Sequence, residues 1–159
     1  KKIAEICRSI RVHGEGEDKY DNVRIGVNSR LDTIQAVVLL NKLKIFDKEL
    51  KQRNQIAKKY SKILSNYVKT PYIPKDHISS WAQYSILLDE RDLLVEKLKE
   101  HHIPTAIFYR IPFNKNKIYN INKALPVSEK ISKTILSLPM HPYLKDEDLI
   151  KISNVVSKI

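Results

Sequence analysis

The longest stretch of this chain that can form one regular element is residues 32–67, which contain neither glycine nor proline. The apolar side chains of this stretch recur at helical spacing. They are Ile34, Val37, Val38, Leu40, Leu43, Phe46, Leu50, Ala57, Tyr60, Leu64 and Tyr67. At a rise of 1.5 Å per residue, one unbroken helix of this length is about 50 Å long, more than the width of a small domain. We therefore expect a helix that connects two lobes, either straight or bent near Phe46-Asp47.

Both ends of this helix are marked in the sequence. Asp32 and Gln35 have the spacing of a capping box, and Asp32 places a negative charge at the helix N-terminus. Prolines at positions 71 and 74 end the helix on the other side. The first half, Ile34 to Leu43, is apolar on more than one side, so we expect it to be buried. The second half is apolar on one side only and rich in lysine.

A glycine-containing loop precedes the long helix. Residues 11–31 hold Gly14, Gly16 and Gly26, which are the only three glycines of the chain. Glycine permits positive φ angles and the close approach of another backbone segment. A short helix is predicted before the loop, over residues 2–10, where the apolar side chains again have helical spacing.

The loop ends in Asn28, Ser29 and Arg30, immediately before the predicted helix start. An amide and a guanidinium at a loop-to-helix junction suit an anion such as phosphate or carboxylate. The alternative is a solvated surface loop, and chemistry alone leaves both interpretations open.

Composition and charge exclude several classes of protein. The single cysteine, Cys7, cannot form an internal disulfide, which fits a reducing compartment. Its place on the apolar face of the 2–10 helix predicts packing rather than catalysis.

No run approaches the roughly 18 apolar residues of a membrane span, so we expect a cytoplasmic protein without a membrane partner. The net charge of +11 would suit nucleic acid, but the lysines are spread along the chain and mixed with acidic residues, and no nucleic-acid-binding motif occurs.

From about residue 80 the pattern alternates between strands and helices. It predicts an α/β chain whose second part is a small α+β domain, with helices covering a small sheet. The predicted strands are 81–88, 103–109 and 135–138, and the predicted helices are 89–102, 127–134 and 146–159.

The motifs of self-contained enzymes and metal sites do not occur here. There is no Cys-x-x-Cys, His-Glu-x-x-His, phosphate-binding glycine loop or nucleophile elbow, and His101-His102 is interpreted as a polar helix end. One further cluster stands out where a predicted strand runs into a loop, at Phe108, Tyr109 and Arg110. Arginine beside aromatic rings can hold a carboxylate or phosphate and stack on a planar ring. A hydrophobic anchor on an edge strand is the equal alternative.

The sequence resembles the C-terminal part of the DegT/DnrJ/EryC1/StrS family of PLP-dependent sugar aminotransferases, which have the type I fold. The resemblance covers nearly the whole chain in order. It rests on Arg8-Ser-Ile-Arg-Val-His-Gly14, Lys19-Tyr20, Ile25-Gly-Val-Asn-Ser-Arg-Leu-Asp-Thr-Ile-Gln-Ala36, Ser80-Trp-Ala-Gln-Tyr-Ser-Ile86, Arg91-Asp92 and Leu136-Ser-Leu-Pro-Met-His-Pro142. The family often has Pro-Leu-His-x-Gln where this chain has Pro112-Phe-Asn-Lys-Asn116.

The resemblance implies a domain plan and an activity. Residues 1–31 would be a remnant of the large PLP-binding domain, 32–66 the connecting helix and 67–159 the small domain. The intact enzyme would be a homodimer that aminates a keto nucleotide-sugar for surface polysaccharide or lipopolysaccharide, with glutamate as the amino donor. The lysine that holds PLP in the family matches no lysine here, so this chain would contain no catalytic residue and be inactive alone.

The resemblance also implies roles for five residues. Asn28 would bind the phosphate of PLP in the partner subunit's site, and Arg30 would touch the sugar acid. Tyr109 and Phe108 match the segment that contacts the nucleotide-sugar, and Arg110 is the arginine of that segment. Two other interpretations are kept: a non-catalytic product of a truncated or split gene, and, less favoured, a basic nucleic-acid-binding module.

Overall fold

A computed structural model describes residues 1–119 and 123–159 of the chain. These residues form two compact units, Lys1–Phe46 and Asp47–Ile159. One helix, α2 (Thr33–Leu64), begins in the first unit and ends in the second. The long helix is therefore confirmed.

The first unit contains helix α1 (Lys2–Ile10), a hydrogen-bonded loop and the start of α2. The loop folds back on α1, because the Val27 N–H donates to the carbonyl of Ile10 at 2.7 Å. Gly14 has a φ of +80°, and a Cβ atom there would lie 1.8 Å from the Arg24 carbonyl oxygen. Only glycine therefore fits this crossing of two backbone segments.

The predicted helix start is confirmed in its geometry. The Asp32 N–H donates to Oε1 of Gln35 at 3.3 Å, which is the reciprocal half of a capping box. The Asp32 carbonyl accepts the first helical hydrogen bond, from the Ala36 N–H at 2.8 Å.

The predicted burial of Ile34 to Leu43 is wrong for this chain. Leu40 is 61% exposed, and every other large apolar side chain from Ile34 to Leu43 is at least 51% exposed. Cys7 is exposed as well, so the expected packing of its side chain is not found within these residues. Apolar periodicity shows which helix face needs an apolar partner, but it does not show whether that partner belongs to the same chain.

The second unit is a two-stranded antiparallel sheet packed against helices. Strand β1 (Tyr84–Leu87) pairs with β2 (Ile135–Leu138), with Tyr84 opposite Leu138. The other elements are α3 (Arg91–Glu100), a 3₁₀ turn (Phe113–Lys115), α4 (Pro126–Thr134) and α5 (Asp146–Val156). The predicted mixture of a small sheet and covering helices is confirmed.

One hydrophobic core joins these elements. Tyr60, Tyr84, Leu94 and Leu136 are fully buried, and the rings of Tyr60 and Tyr84 stack with centroids 4.9 Å apart. The apolar stripe of α5 faces this core, and it consists of Leu149, Ile152, Val155 and Val156. On α3, Leu94 and Leu98 face this core, whereas Leu93 is exposed.

The predicted strand over 103–109 is wrong. Only Ala106 pairs with the sheet, through two backbone hydrogen bonds with Ser137 of 3.2 and 2.8 Å. Pro104 lacks the N–H that a paired strand residue would donate, and the chain leaves the sheet after Ala106. The predicted strand over 81–88 is shorter than expected, because Trp81 has a positive φ of 48°.

No helix among residues 1–119 and 123–159 combines the length and the apolar character that crossing a membrane requires.

Candidate substrate and cofactor site

The junction of loop and helix, residues Asn28–Arg30, lies on a fixed backbone. Asn28 forms an antiparallel bridge with Val12, and the Ser29 N–H donates to the Arg11 carbonyl at 2.9 Å. These bonds place the junction against the end of α1 rather than leaving it as a free loop.

The side chains of the junction present hydrogen-bond donors to solvent. Nε of Arg30 donates to Oδ1 of Asn28 at 3.2 Å, and both side chains are exposed. This bond engages the amide oxygen, so the NH₂ group of Asn28 and the remaining N–H groups of Arg30 can donate to a ligand at this exposed position. A set of donors with one positive charge fits an anionic group such as phosphate.

The second candidate site lies on residues 106–114, which we name the arc, and its middle part, 108–111, is exposed. Phe108 and Tyr109 stand out from it, with Tyr109 74% exposed, and their rings meet edge to face at 5.7 Å between centroids. Two adjacent aromatic rings beside an arginine can bind a ligand that carries both a planar ring and an anionic group.

Arg110 of the arc forms an ion pair with Asp92, which in turn forms an ion pair with the buried Arg91. Its Nη1 lies 3.5 Å from Oδ1 of Asp92, and the same carboxylate oxygen lies 2.7 Å from Nε of Arg91. Arg91 is only 4% exposed, and its Nη1 donates to the carbonyls of Ser132 and Ile135 at 3.4 and 3.3 Å. An ion pair thus places a buried guanidinium beside the carboxylate that faces Arg110, while Nε of Arg91 makes no hydrogen bond among the described residues.

The far end of the arc is fixed by an amide and a carboxylate. Asn114 is 4% exposed and donates from Nδ2 to the Lys123 carbonyl and to Oε1 of Glu129, both at 2.8 Å. The Leu125 N–H and the Asn114 amide hold the pKa of Glu129 below its ordinary value, and Lys115 nearby acts in the same direction. Sequence reasoning missed Glu129 and the buried role of Asn114, because neither belongs to a motif.

The structure brings the predicted residues together within each unit. Asn28 and Arg30 are in contact in the first unit, and Phe108, Tyr109 and Arg110 share the arc of the second. His101 and His102 lie at the end of α3, where Nδ1 of His101 faces the Lys97 carbonyl at 2.8 Å. Among the described residues, no three His, Cys, Asp or Glu side chains are grouped so as to hold a metal ion.

Comparison with known proteins matches residues 1–157 to the DegT/DnrJ/EryC1/StrS aminotransferase family. A UDP-2-acetamido-2-deoxy-3-oxo-D-glucuronate aminotransferase of Pseudomonas aeruginosa is 43% identical over 95% of this chain and 42% of its own length. A dTDP-3-amino-3,6-dideoxy-alpha-D-galactopyranose transaminase of Aneurinibacillus thermoaerophilus is 32% identical over 99% of this chain and 44% of its own.

The fold of this chain also matches that of a solved structure. A crystal structure of a DegT DnrJ EryC1 StrS aminotransferase from Brucella abortus superimposes with a TM-score of 0.92 and 46% identity, over 99% of this chain and 43% of that one. The chain therefore spans less than half the length of these relatives, in agreement with the predicted C-terminal part.

Proposed function

Because the chain belongs to the DegT/DnrJ/EryC1/StrS aminotransferase family, we propose that it supplies the C-terminal part of a PLP-dependent enzyme that aminates a keto nucleotide-sugar. The observation that carries the proposal is the donor pair of Asn28 and Arg30, joined by a hydrogen bond of 3.2 Å. The name of the Pseudomonas relative supports a UDP-linked 3-keto sugar acid as the first substrate to test.

In this proposal the junction acts on the cofactor and on the sugar acid. Asn28 donates its amide N–H groups to the PLP phosphate in a neighbouring subunit of a homodimer, and Arg30 meets the carboxylate of the sugar. The hydrogen bond between the two side chains keeps the amide oxygen away from the phosphate, where a lone pair would be repelled. When bound, PLP supplies the electron sink for transfer of the amino group, with glutamate as the proposed donor.

The arc acts on the substrate. Tyr109 and Phe108 offer exposed ring faces and edges to the nucleotide-sugar, and Arg110 offers a guanidinium to one of its anionic groups. Aromatic side chains lose little conformational freedom on binding, so they give contact area at small entropic cost.

We assign residues 1–31 to the large domain, 32–66 to the connecting helix and 67–159 to the small domain of the enzyme. The exposed apolar start of α2 fits this assignment, because a connecting helix packs on both parts of the intact protein. The proposed setting is the cytoplasmic synthesis of surface polysaccharide or lipopolysaccharide.

The experiment compares two preparations with glutamate, PLP and UDP-2-acetamido-2-deoxy-3-oxo-D-glucuronate. The first is residues 1–159 alone, which we expect to give no turnover. The second is the same residues joined to the preceding part of a close relative, including its cofactor-binding lysine. The expected result is formation of 2-oxoglutarate by the joined protein only. Turnover by residues 1–159 alone would contradict the proposed division of labour, and an inactive but folded, PLP-loaded joined protein would count against the substrate.

A further inference from the structure

The arc is fixed at both ends but by different means. At Ala106 the backbone pairs with Ser137 of β2. At Asn114 the anchor is a side chain, since the buried amide donates to the Lys123 carbonyl and to Glu129. The first anchor needs no particular side chain, whereas the second depends on two side chains.

The orientation of the Asn114 amide follows from its neighbours. Both groups that face Nδ2 are hydrogen-bond acceptors, so the nitrogen must lie on that side. Oδ1 is buried and finds no partner among the described residues. Burial of an unpaired oxygen is unfavourable, so the two donor bonds must offset it. One of those bonds has a charged acceptor and is the stronger of the two.

The surroundings of Glu129 favour the charged carboxylate that accepts this bond. It lies in the first turn of α4, where a negative charge is favourable. The same Oε1 accepts from the Leu125 N–H at 3.0 Å, and Lys115 Nζ lies 3.6 Å away. The carboxylate therefore caps α4 and holds Asn114 with the same oxygen.

We propose that Glu129 and Asn114 are positioning residues, which hold Phe108, Tyr109 and Arg110 in one arrangement by fixing the C-terminal end of the arc. Neither touches the substrate in this proposal. In chain order the 3₁₀ turn is followed by α4, which begins at Pro126. Without the bond between Asn114 and Glu129, the arc would lose its anchor at Asn114 and would next be held at α4. The exposed aromatic side chains would then belong to a longer segment with more conformations. The functional part of this inference rests on the proposed substrate role of the arc.

The first test measures amide hydrogen exchange in the full 159-residue chain. In Glu129→Ala we expect exchange of the Lys115, Asn116 and Leu125 amides to become at least about tenfold faster, as loss of a charge-assisted hydrogen bond implies. The Leu87 amide, which bonds to the Lys69 carbonyl at 3.0 Å, reports on the sheet and should be unchanged.

Two further variants separate the positioning effect from general damage. Glu129→Gln keeps an acceptor oxygen and should lie between the wild type and Glu129→Ala. Glu96→Ala removes an exposed carboxylate of α3 and should leave all of these amides unchanged. Exchange at Lys115 and Asn116 that is equal in Glu129→Ala and Glu96→Ala would overturn the proposal.

The second test adds UDP-N-acetylglucosamine as a probe and follows the NMR signals of Tyr109 and Arg110. If the arc loses its single arrangement, the apparent Kd should rise about fivefold in Glu129→Ala, because only the ordered fraction binds. An unchanged Kd in a variant with fast exchange at Asn116 would show that positioning does not matter for binding, which overturns the functional part. No binding to the wild-type chain would count against the proposed substrate role of the arc, while the exchange result would still decide whether Glu129 fixes it.

Discussion

Arg30 Nε lies 3.2 Å from Asn28 Oδ1 and donates to it, so the amide oxygen is engaged and the Asn28 NH₂ group can donate to another acceptor. The Asn28 backbone is held in turn by its bridge to Val12. An amide that is fixed at both its backbone and its oxygen is preorganised as a donor. Preorganisation reduces the ordering cost that an anionic ligand must offset.

Asn28→Ala should therefore weaken retention of PLP in the assembled enzyme. A hydrogen bond to a charged group contributes about 1.5–3 kcal/mol, so the Kd for PLP should rise roughly tenfold or more. Asn28→Asp should weaken it further, because a carboxylate repels phosphate. The measurement is the cofactor absorbance that remains after dialysis against a series of PLP concentrations.

The matched control for this substitution is Asn66→Ala. Asn66 is an exposed asparagine beyond the end of α2, so it lies in the other unit. Its replacement should leave PLP retention unchanged. Equal retention in Asn28→Ala and Asn66→Ala would remove Asn28 from the cofactor site.

Gly14→Ala should destabilise the loop that carries the junction. The new Cβ would lie 1.8 Å from the Arg24 carbonyl oxygen at a φ of +80°, so the backbone must shift. Strain of this kind costs about 1–3 kcal/mol. The expected sign is faster hydrogen exchange at the Val23 amide, which bonds to the Gly14 carbonyl at 3.0 Å.

Gly16→Ala is the control in the same loop. A Cβ there meets first the side chain of Val23, at 2.8 Å, and then the Asp21 carbonyl oxygen, at 3.2 Å, so both contacts are longer than the one of 1.8 Å at Gly14. We expect a smaller effect on exchange than in Gly14→Ala. The reverse order would show that the crossing at Gly14 is not the constraint on this loop.

Several elements of the fold could be predicted because their signals are local. The bounds of β2 agree with the prediction, since Ile135–Leu138 is a short apolar run between a helix and Pro139. The extent of α2 follows from its capping residues and from the absence of glycine and proline. The prediction of a strand over 103–109 was wrong. The apolar side chains of this segment have the intrinsic preference of a strand, but a strand also needs a partner, and only Ala106 lies where it can pair with β2.

The candidate site also contains contacts that could be predicted from the sequence and contacts that could not. Asn28 and Arg30 are two residues apart, so a junction motif reveals them together. The contact of Asn114 with Glu129 spans 15 residues, and that of Arg91 with Ser132 spans 41. Neither pair has a sequence signature. The first contact exists only when α4 has packed beside the arc, and the second only when α4 has packed beside α3. Contacts of this kind follow from tertiary structure alone.

Arg91→Ala should be among the most destabilising polar substitutions in the second unit. It would leave the buried carbonyls of Ser132 and Ile135 without the guanidinium that now faces them. The expected loss is about 2–3 kcal/mol in the free energy of unfolding, measured with urea. Arg91→Lys keeps the charge but not the planar fork, so its loss should be smaller.

Lys99→Ala provides the comparison for Arg91. Lys99 is an exposed cation on the same helix, α3, and alanine is a good helix former. Its effect should stay within about 0.5 kcal/mol, as is usual for surface substitutions. Equal losses for Lys99→Ala and Arg91→Ala would mean that the buried guanidinium contributes no more than a surface charge.

The anchor at Glu129 should give the arc a dependence on pH. The Leu125 N–H, then the Asn114 amide and the charge of Lys115, keep the pKa of Glu129 below its ordinary value. A lowered pKa in the folded state means that the contribution to stability is present above the ordinary glutamate pKa of about 4.3 and is lost as the pH falls through the lowered pKa. The side-chain amide signals of Asn114, followed by NMR during acidification, should report this loss before the Leu87 amide does. Glu129→Gln cannot titrate, so a variant that shows the same step would assign it to another group.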